Sequence, residues 1–307
     1  MDKKSLIRLS IILIICIVIF GLIKLVHILK KPKLESLQID KTKITKVELI
    51  RPKEGNVTFV KEFDKWKLVV SSADKTYTYS GDTKLVGEVI DKISNIKLSD
   101  IISEDKNRFG EFYVDTSSGI TIKVYLEQQN KPSKSFIIGK PGYDYSHYYF
   151  RYLDRNEIWL SSGLERYVIE QNIDFWRDKT ILSVDRTKIE QINIVYANKK
   201  DNVNILSKGT TWYLLTEDKK ERIIEQNKID GFLNTLCSLR ADGFANETEK
   251  FNKPDFKIEI KTKDSFDEIL ISSVTDNKAL VKKSQLETVF FLYQYTVNNL
   301  KKKKTDF

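Results

Sequence analysis

From Leu9 to Leu29 the chain reads LSIILIICIVIFGLIKLVHIL, an apolar run broken by one charge, Lys24, near its far end. At about 1.5 Å per residue, a helix of this length reaches about 30 Å, the thickness of a bilayer's hydrocarbon core. Lys24 is close enough to one edge for its ammonium to snorkel to the headgroups. A cleaved signal peptide needs small residues just after the run, and Leu22-Ile23-Lys24 and Leu25-Val26-His27 supply none. Ile15 before Cys16 is likewise too large for a lipidation site. The expectation is an uncleaved, single-pass anchor whose first partner is the lipid bilayer. Residues 1–8 are then cytoplasmic, 9–29 span the membrane and 30–43 form a basic, polar stalk. Lysines flank both ends, so charge does not orient the helix. The short N-terminal flank does, and it places the body outside a bacterial cell membrane.

The net charge of +9 raises the question of nucleic acid, and its distribution answers it. Before residue 37 there are seven basic residues against two acidic ones, and Lys301 to Lys304 stand against Asp306 at the other end. Between them lie 41 basic and 40 acidic residues. A nucleic-acid binder needs a basic surface to neutralise phosphates, and this body has none beyond a short tail. Cys16 falls in the apolar run and Cys237 in an expected helix, so no intramolecular disulfide is expected. The Lys301–Lys304 run reads as a solvated end, or as a contact with anionic headgroups if the tail returns to the membrane.

The body alternates in short runs. Val57–Val60, Lys65–Val70 and Thr76–Tyr79 read as antiparallel strands. Asp82 then caps an amphipathic helix carrying Leu85, Val86, Val89, Ile90, Ile93 and Ile96. Ile120, Ile122, Val124 and Leu126 alternate with polar residues as a half-buried strand should. Strands at Ser135–Ile138, Tyr148–Tyr152 and Glu157–Leu160 follow, and Ser162-x-x-Glu165 has the pattern of a capping box opening a helix.

The same order recurs. Ile189-x-x-Ile192-x-Ile194 matches Ile44-x-x-Val47-x-Leu49, and Thr211-Trp212 matches Lys65-Trp66. A helix with Ile229, Phe232, Leu233, Leu236 and Leu239 matches the first, and Phe256, Ile258 and Ile260 repeat the alternating strand. Ser284-x-x-Glu287 repeats the capping box and is expected to open a last helix with Leu286, Val289, Phe290, Tyr293, Val297 and Leu300. The fold class expected is therefore α+β: two repeated domains of antiparallel sheet with packed helices, over 44–180 and 181–307, joined near Asp174–Arg186.

The tryptophan strands, the helix after them and the strand leading to Phe136-Ile-Ile-Gly-Lys resemble the bacterial domain of unknown function 4340. So do Tyr148-Tyr-Phe-Arg-Tyr, Glu157-Ile-Trp-Leu and Phe175-Trp-Arg-Asp-Lys-Thr-Ile-Leu. The resemblance covers roughly 44–245, with the second copy continuing to about 300. Arg108-Phe-Gly-Glu-Phe112 departs from it, lacking the leucine and proline of the family's usual turn at that place. The resemblance implies a single-pass envelope protein of accessory role, of a kind associated with ABC-type transport or gliding-type systems. It carries over no catalytic residues.

Chemistry-bearing motifs are missing. There is no phosphate loop, GxGxxG, HExxH or GxSxG. His147 is the body's only histidine and Cys237 its only cysteine, so neither a His-rich nor a thiolate metal site is expected. Glu165 and Glu287 are explained as capping residues, and Asp174 and Asp178 as linker or cap residues. No cofactor and no metal is expected, and the chain is read as non-enzymatic.

One segment stands apart, Tyr143-Asp-Tyr-Ser-His-Tyr-Tyr-Phe-Arg-Tyr152. Tyrosine combines a rigid apolar body with a hydroxyl and suits interfaces. One reading makes Tyr143, Tyr145, His147, Tyr149 and Arg151 a recognition surface. The other makes Tyr148, Phe150 and Tyr152 the core side of an ordinary strand. The functional expectation is a non-catalytic envelope protein with membrane or envelope protein partners, an accessory or interaction subunit of an ABC-type transport or surface complex. The alternative is an extracytoplasmic binding module for a cell-envelope polymer or small ligand.

Overall fold

A computed structural model describes residues 13–15, 17–21, 35–72, 75–127, 129–218, 220–246 and 249–307. Of the expected membrane segment, residues 13–15 and 17–21 are helical with exposed side chains, and the rest lies outside the described residues. No helix among the described residues is long and apolar enough to cross a membrane. The chain divides into two compact units, Met1–Trp176 and Arg177–Phe307.

The first unit runs β1 (Glu35–Ser36), β2 (Ile44–Ile50), β3 (Val57–Glu62), β4 (Lys65–Ser72), β5 (Lys75–Ser80) and α1 (Thr83–Ser94). It continues with β6 (Lys97–Ser103), β7 (Ile120–Leu126), β8 (Lys134–Pro141), β9 (Tyr148–Tyr152), β10 (Ile158–Ser162) and the single-turn helices α2 (Arg166–Ile169) and α3 (Ile173–Trp176). The second unit runs β11 (Ile189–Tyr196), β12 (Val203–Lys208), β13 (Thr211–Leu215), β14 (Glu221–Ile223) and α4 (Gln226–Cys237). Then come β15 (Gly243–Phe244), β16 (Phe256–Thr262), β17 (Phe266–Ile271), β18 (Lys278–Lys283), β19 (Val289–Tyr293) and α5 (Gln294–Leu300).

Each unit is one antiparallel sheet with helices against a face. The first sheet has the order β1-β6-β10-β9-β8-β7-β2-β3-β4-β5, and the second β14-β13-β12-β11-β16-β17-β18-β19-β15. Read from β5 and from β14, nine strands follow one another identically, and β1 is the first sheet's addition. The likeness reaches into local chemistry. In Asp40-Lys-Thr-Lys-Ile44 the Asp40 carboxylate accepts from the Thr42 amide and hydroxyl, and in Asp185-Arg-Thr-Lys-Ile189 Asp185 does the same with Thr187. Each cap closes one 3₁₀ turn, after which the strand begins and slips register past Ile44 or Ile189. The shared bulge turns the following alternation inward, so Val47 and Leu49, like Ile192 and Ile194, are fully buried.

Asp82 caps α1 through the amides of Lys84 and Leu85. Val86, Val89, Ile90 and Ile93 are buried on the sheet, as their spacing requires, and Ile96 is buried just beyond the helix end. The segment expected as a stalk adds Leu37 and Ile39 to this core, with β1 paired on β6, so the folded unit begins earlier than residue 44.

Neither capping box forms. Ser162 ends β10, and Glu165 makes no side-chain cap bond but sits 2.6 Å from the Lys92 ammonium. Ser284 donates to the Glu268 carboxylate, Val289–Tyr293 is a strand, and the last helix starts only at Gln294. Val-Phe-Phe-Leu-Tyr is wholly β-branched, aromatic or Leu, and it gains a strand partner on each side. Its residues also fit a helical spacing, and the open ladder between β15 and β18 decides the outcome. The basic tail is not a free end. Lys304 reaches Glu217 at 2.8 Å, the Tyr196 hydroxyl donates to the Lys302 carbonyl, and Phe307 is buried edge-on against Phe232.

The units differ on the face away from the helices. In the first, residues 104–119 fold back over β8–β10 and build a second small core from Phe112, Val114, Ile137, Tyr149 and Ile158. Its strands there are buried on both faces, whereas β16 and β18 alternate buried and open. Gly139 makes the cover fit, because a Cβ there would stand 2.2 Å from the Phe112 carbonyl oxygen and 2.9 Å from Val114 Cγ1. Gly139→Ala is therefore expected to lift the cover and destabilise the first unit by about 2 kcal/mol. Limited proteolysis between Arg108 and Ser118 together with a melting curve checks it; uncut cover and an unchanged melt would refute the steric account.

Candidate recognition site

The tyrosine segment divides at Tyr148. Within β9, Phe150 and Tyr152 face the main core, with Phe150 stacked on Phe136 and meeting Tyr152 edge-to-face. Tyr149 and Arg151 face the cover. Tyr149 is buried at 4.5 Å from the Phe112 ring, and Arg151 is buried with its guanidinium 4.1 Å over the Phe109 ring. Arg151 has carbonyl partners rather than a carboxylate. Its Nε donates to Val114 at 2.9 Å, and its Nη1 to Tyr152 and Arg155 at 3.0 Å each. Burial pushes its pKa down, with Asp115 opposing from nearby. Its fork thus stitches the cover to the strand end.

Ahead of the strand, residues 142–147 form a tight tip. The Asp144 carboxylate accepts from the amides of Ser146 and His147, from the Ser146 hydroxyl at 2.8 Å and from His147 Nδ1. The Ser146 and His147 side chains, with those amides, hold Asp144 well below the usual carboxylate range. The Gly142 amide closes the tip on the His147 carbonyl at 2.8 Å. Tyr145 takes a left-handed conformation, φ 56°, uncommon for a side chain of its size. This turn projects Tyr143 and Tyr145, which are 99% and 79% exposed.

Between tip and cover lies a hollow of 280 Å³ lined by Glu111, Phe112, Lys140, Tyr143, Tyr145 and Tyr149, among others. Lys140 lies within 6 Å of both the Phe112 and Tyr113 rings. Behind it, burial pushes Asp115 up, but the hydroxyl and amide donors of Ser117 and Ser118 outweigh it and bring the carboxyl to about 2. Of the five residues expected here, Tyr143, Tyr145 and Tyr149 meet at the hollow, His147 braces the tip, and Arg151 lies behind as a buried support. Glu111, Phe112, Tyr113 and Lys140 join them without having been expected as site residues. Gly119 and Gly139 are the signal that a backbone presses close there, since a Cβ would stand 2.3 Å from the Tyr113 carbonyl oxygen and 2.2 Å from that of Phe112.

Among the described residues no group of three or more His, Cys, Asp or Glu side chains could hold a metal. Cys237 ends α4 half-buried, and burial pushes its thiol up, the wrong direction for a nucleophile.

These features define a class: a two-unit α+β protein of antiparallel sheets sharing one strand order, with an exposed aromatic tip on the first unit. The chain belongs to the family described as Domain of unknown function (DUF4340), which matches residues 72–254, more than half of its length. That match begins at the end of β4 and stops before β16, so it is narrower at its start than the span expected from the sequence. Neither the curated proteins nor the solved structures gave a match.

Proposed function

We propose that the chain is a non-catalytic, membrane-anchored envelope protein that recognises another protein through Tyr143 and Tyr145. Its role is that of an accessory subunit of an ABC-type transport or surface complex. The observation that carries this reading is the tip itself. Two exposed tyrosines stand on a turn held by Asp144, beside a hollow with an aromatic wall and Lys140. Aromatic side chains carried on a backbone already held in shape have few rotatable bonds to order on binding and are typical interface anchors. The apolar run 9–29 supports the anchor.

A photo-crosslinking side chain at Tyr143, introduced in intact cells, is expected to capture a membrane or envelope protein. The Tyr143→Ala/Tyr145→Ala pair is expected to weaken that complex by about 2–4 kcal/mol without moving the melting temperature. Equal recovery of the partner by the double variant sinks the protein-recognition reading. Sedimentation of residues 35–307 with cell wall, abolished by the same pair, supports the alternative of a polymer-binding module instead. Carbonate extraction tests the anchor, since release of the full chain into the soluble fraction rules it out.

A further inference from the structure

Among the described residues, the second unit leaves open the face that the first unit covers. Register places the two in correspondence. Val281 pairs with Ile271 and Phe290 as Phe150 pairs with Ile138 and Trp159. Leu280 and Phe291 therefore stand where the first unit has Tyr149 and Leu160, on the outer face, and Ser272 stands in the place of Gly139. In the first unit the chain's own cover fills this position. Phe112 packs on Tyr149, the cover backbone presses on Gly139, and Glu111 and two aromatic rings lie by Lys140.

In the second unit the connection before β16 is shorter, and Leu280 and Phe291 remain half-buried in a hollow of 590 Å³. Lys250 and Lys253 from that connection and Lys278 from β18 line it, and among the described residues none of these lysines is paired with a carboxylate. Lys278 lies 4.4 Å over the Phe291 ring. Of the two carboxylates that also line the hollow, Glu249 is taken up by the Asn246 amide at 2.7 Å, and Asp276 sits at the hairpin turn.

We propose that this hollow docks an extended peptide segment of a partner protein, one that sets an aromatic side chain on Leu280 and Phe291 and a carboxylate between Lys253 and Lys278. The segment does from outside what residues 104–119 do within the first unit. Aromatic-plus-acid chemistry is the template the first unit provides, and the lysine rim complements it. This site is separate from the Tyr143 and Tyr145 tip and stands on different residues.

The test is selection of random dodecapeptides displayed on phage against the full chain in detergent micelles. The enriched peptides are expected to pair Phe, Tyr or Trp with a neighbouring Asp or Glu. A labelled copy is expected to bind about tenfold or more weakly to the Lys253→Glu/Lys278→Glu chain, and unchanged to the Tyr143→Ala/Tyr145→Ala chain. Repeating the selection on the charge-reversed chain is expected to replace the acids with Lys or Arg. Both lysines are exposed, so the reversal leaves the fold intact. No enrichment, peptides lacking the aromatic–acid pair, or binding indifferent to the reversal overturns the proposal. So does charge-sensitive binding of phosphatidylglycerol vesicles or an acidic polysaccharide in the absence of peptide binding.

Discussion

Trp176→Ala is expected to lower the stability of the first unit by about 4 kcal/mol. Trp176 has no exposed surface, and it is the last residue of the first unit. Its ring meets Phe59 edge-on at 5.3 Å, and the Arg51 guanidinium lies 5.3 Å from its centroid. Arg51 is itself buried among carbonyls, donating to Gly55 at 2.7 Å and to Gln171 at 2.6 Å. The Trp176 carbonyl accepts from the Asp82 amide at 2.7 Å, tying the start of α1 to the end of the unit. Helix α3 is a single turn, too short to hold itself, so this side chain keeps it folded. Hydrogen exchange read separately over the two units checks the expectation. Protection should fall throughout residues 35–176 and stay unchanged from 177 onward. Equal loss in both units, or a change below about 1 kcal/mol, contradicts it.

Arg151→Ala is expected to destabilise the same unit by about 3 kcal/mol and to free the cover. The loss has two parts. The carbonyls of Val114, Tyr152 and Arg155 lose a charged donor, and Phe109 loses the cation over its ring. Lysine should not rescue it, because a single ammonium cannot reproduce a planar fork that meets four carbonyls, that of Leu153 among them. Urea unfolding and protease sensitivity at Arg108–Ser118 measure both consequences. If Arg151→Ala abolishes partner crosslinking at Tyr143 while stability and cover stay intact, Arg151 belongs to the binding surface and the support role assigned to it is wrong.

The divided fate of the tyrosine segment shows how far sequence reading reaches. Alternation in Tyr148–Tyr152 marks two faces, and one of them packs on the main core. Which face meets solvent is not written locally, because the cover that buries Tyr149 and Arg151 comes from residues 104–119, where the sequence shows no clear periodicity. Gly139 was the available sign, since a glycine within a strand marks close approach of another backbone. The two supposed capping boxes failed for a related reason. Ser-x-x-Glu is four residues of local pattern, and Lys92 or the open place beside β18 outweighs it once the sheet assembles.

What the chain's own pattern settled was the inventory of most elements and their recurrence. Alternating apolar residues name the strands, the spacing of Val86, Val89, Ile90 and Ile93 names a helix, and two tryptophan strands announce the second copy. These are short-range properties, governed by which side chains can share a face with water behind them. Strand order, the shared bulge after Asp40 and Asp185, the strand at Val289–Tyr293 and the covering of one sheet but not the other were decided by tertiary structure. Each depends on pairing between segments distant in the chain, where the free energy comes from surfaces that meet only after folding.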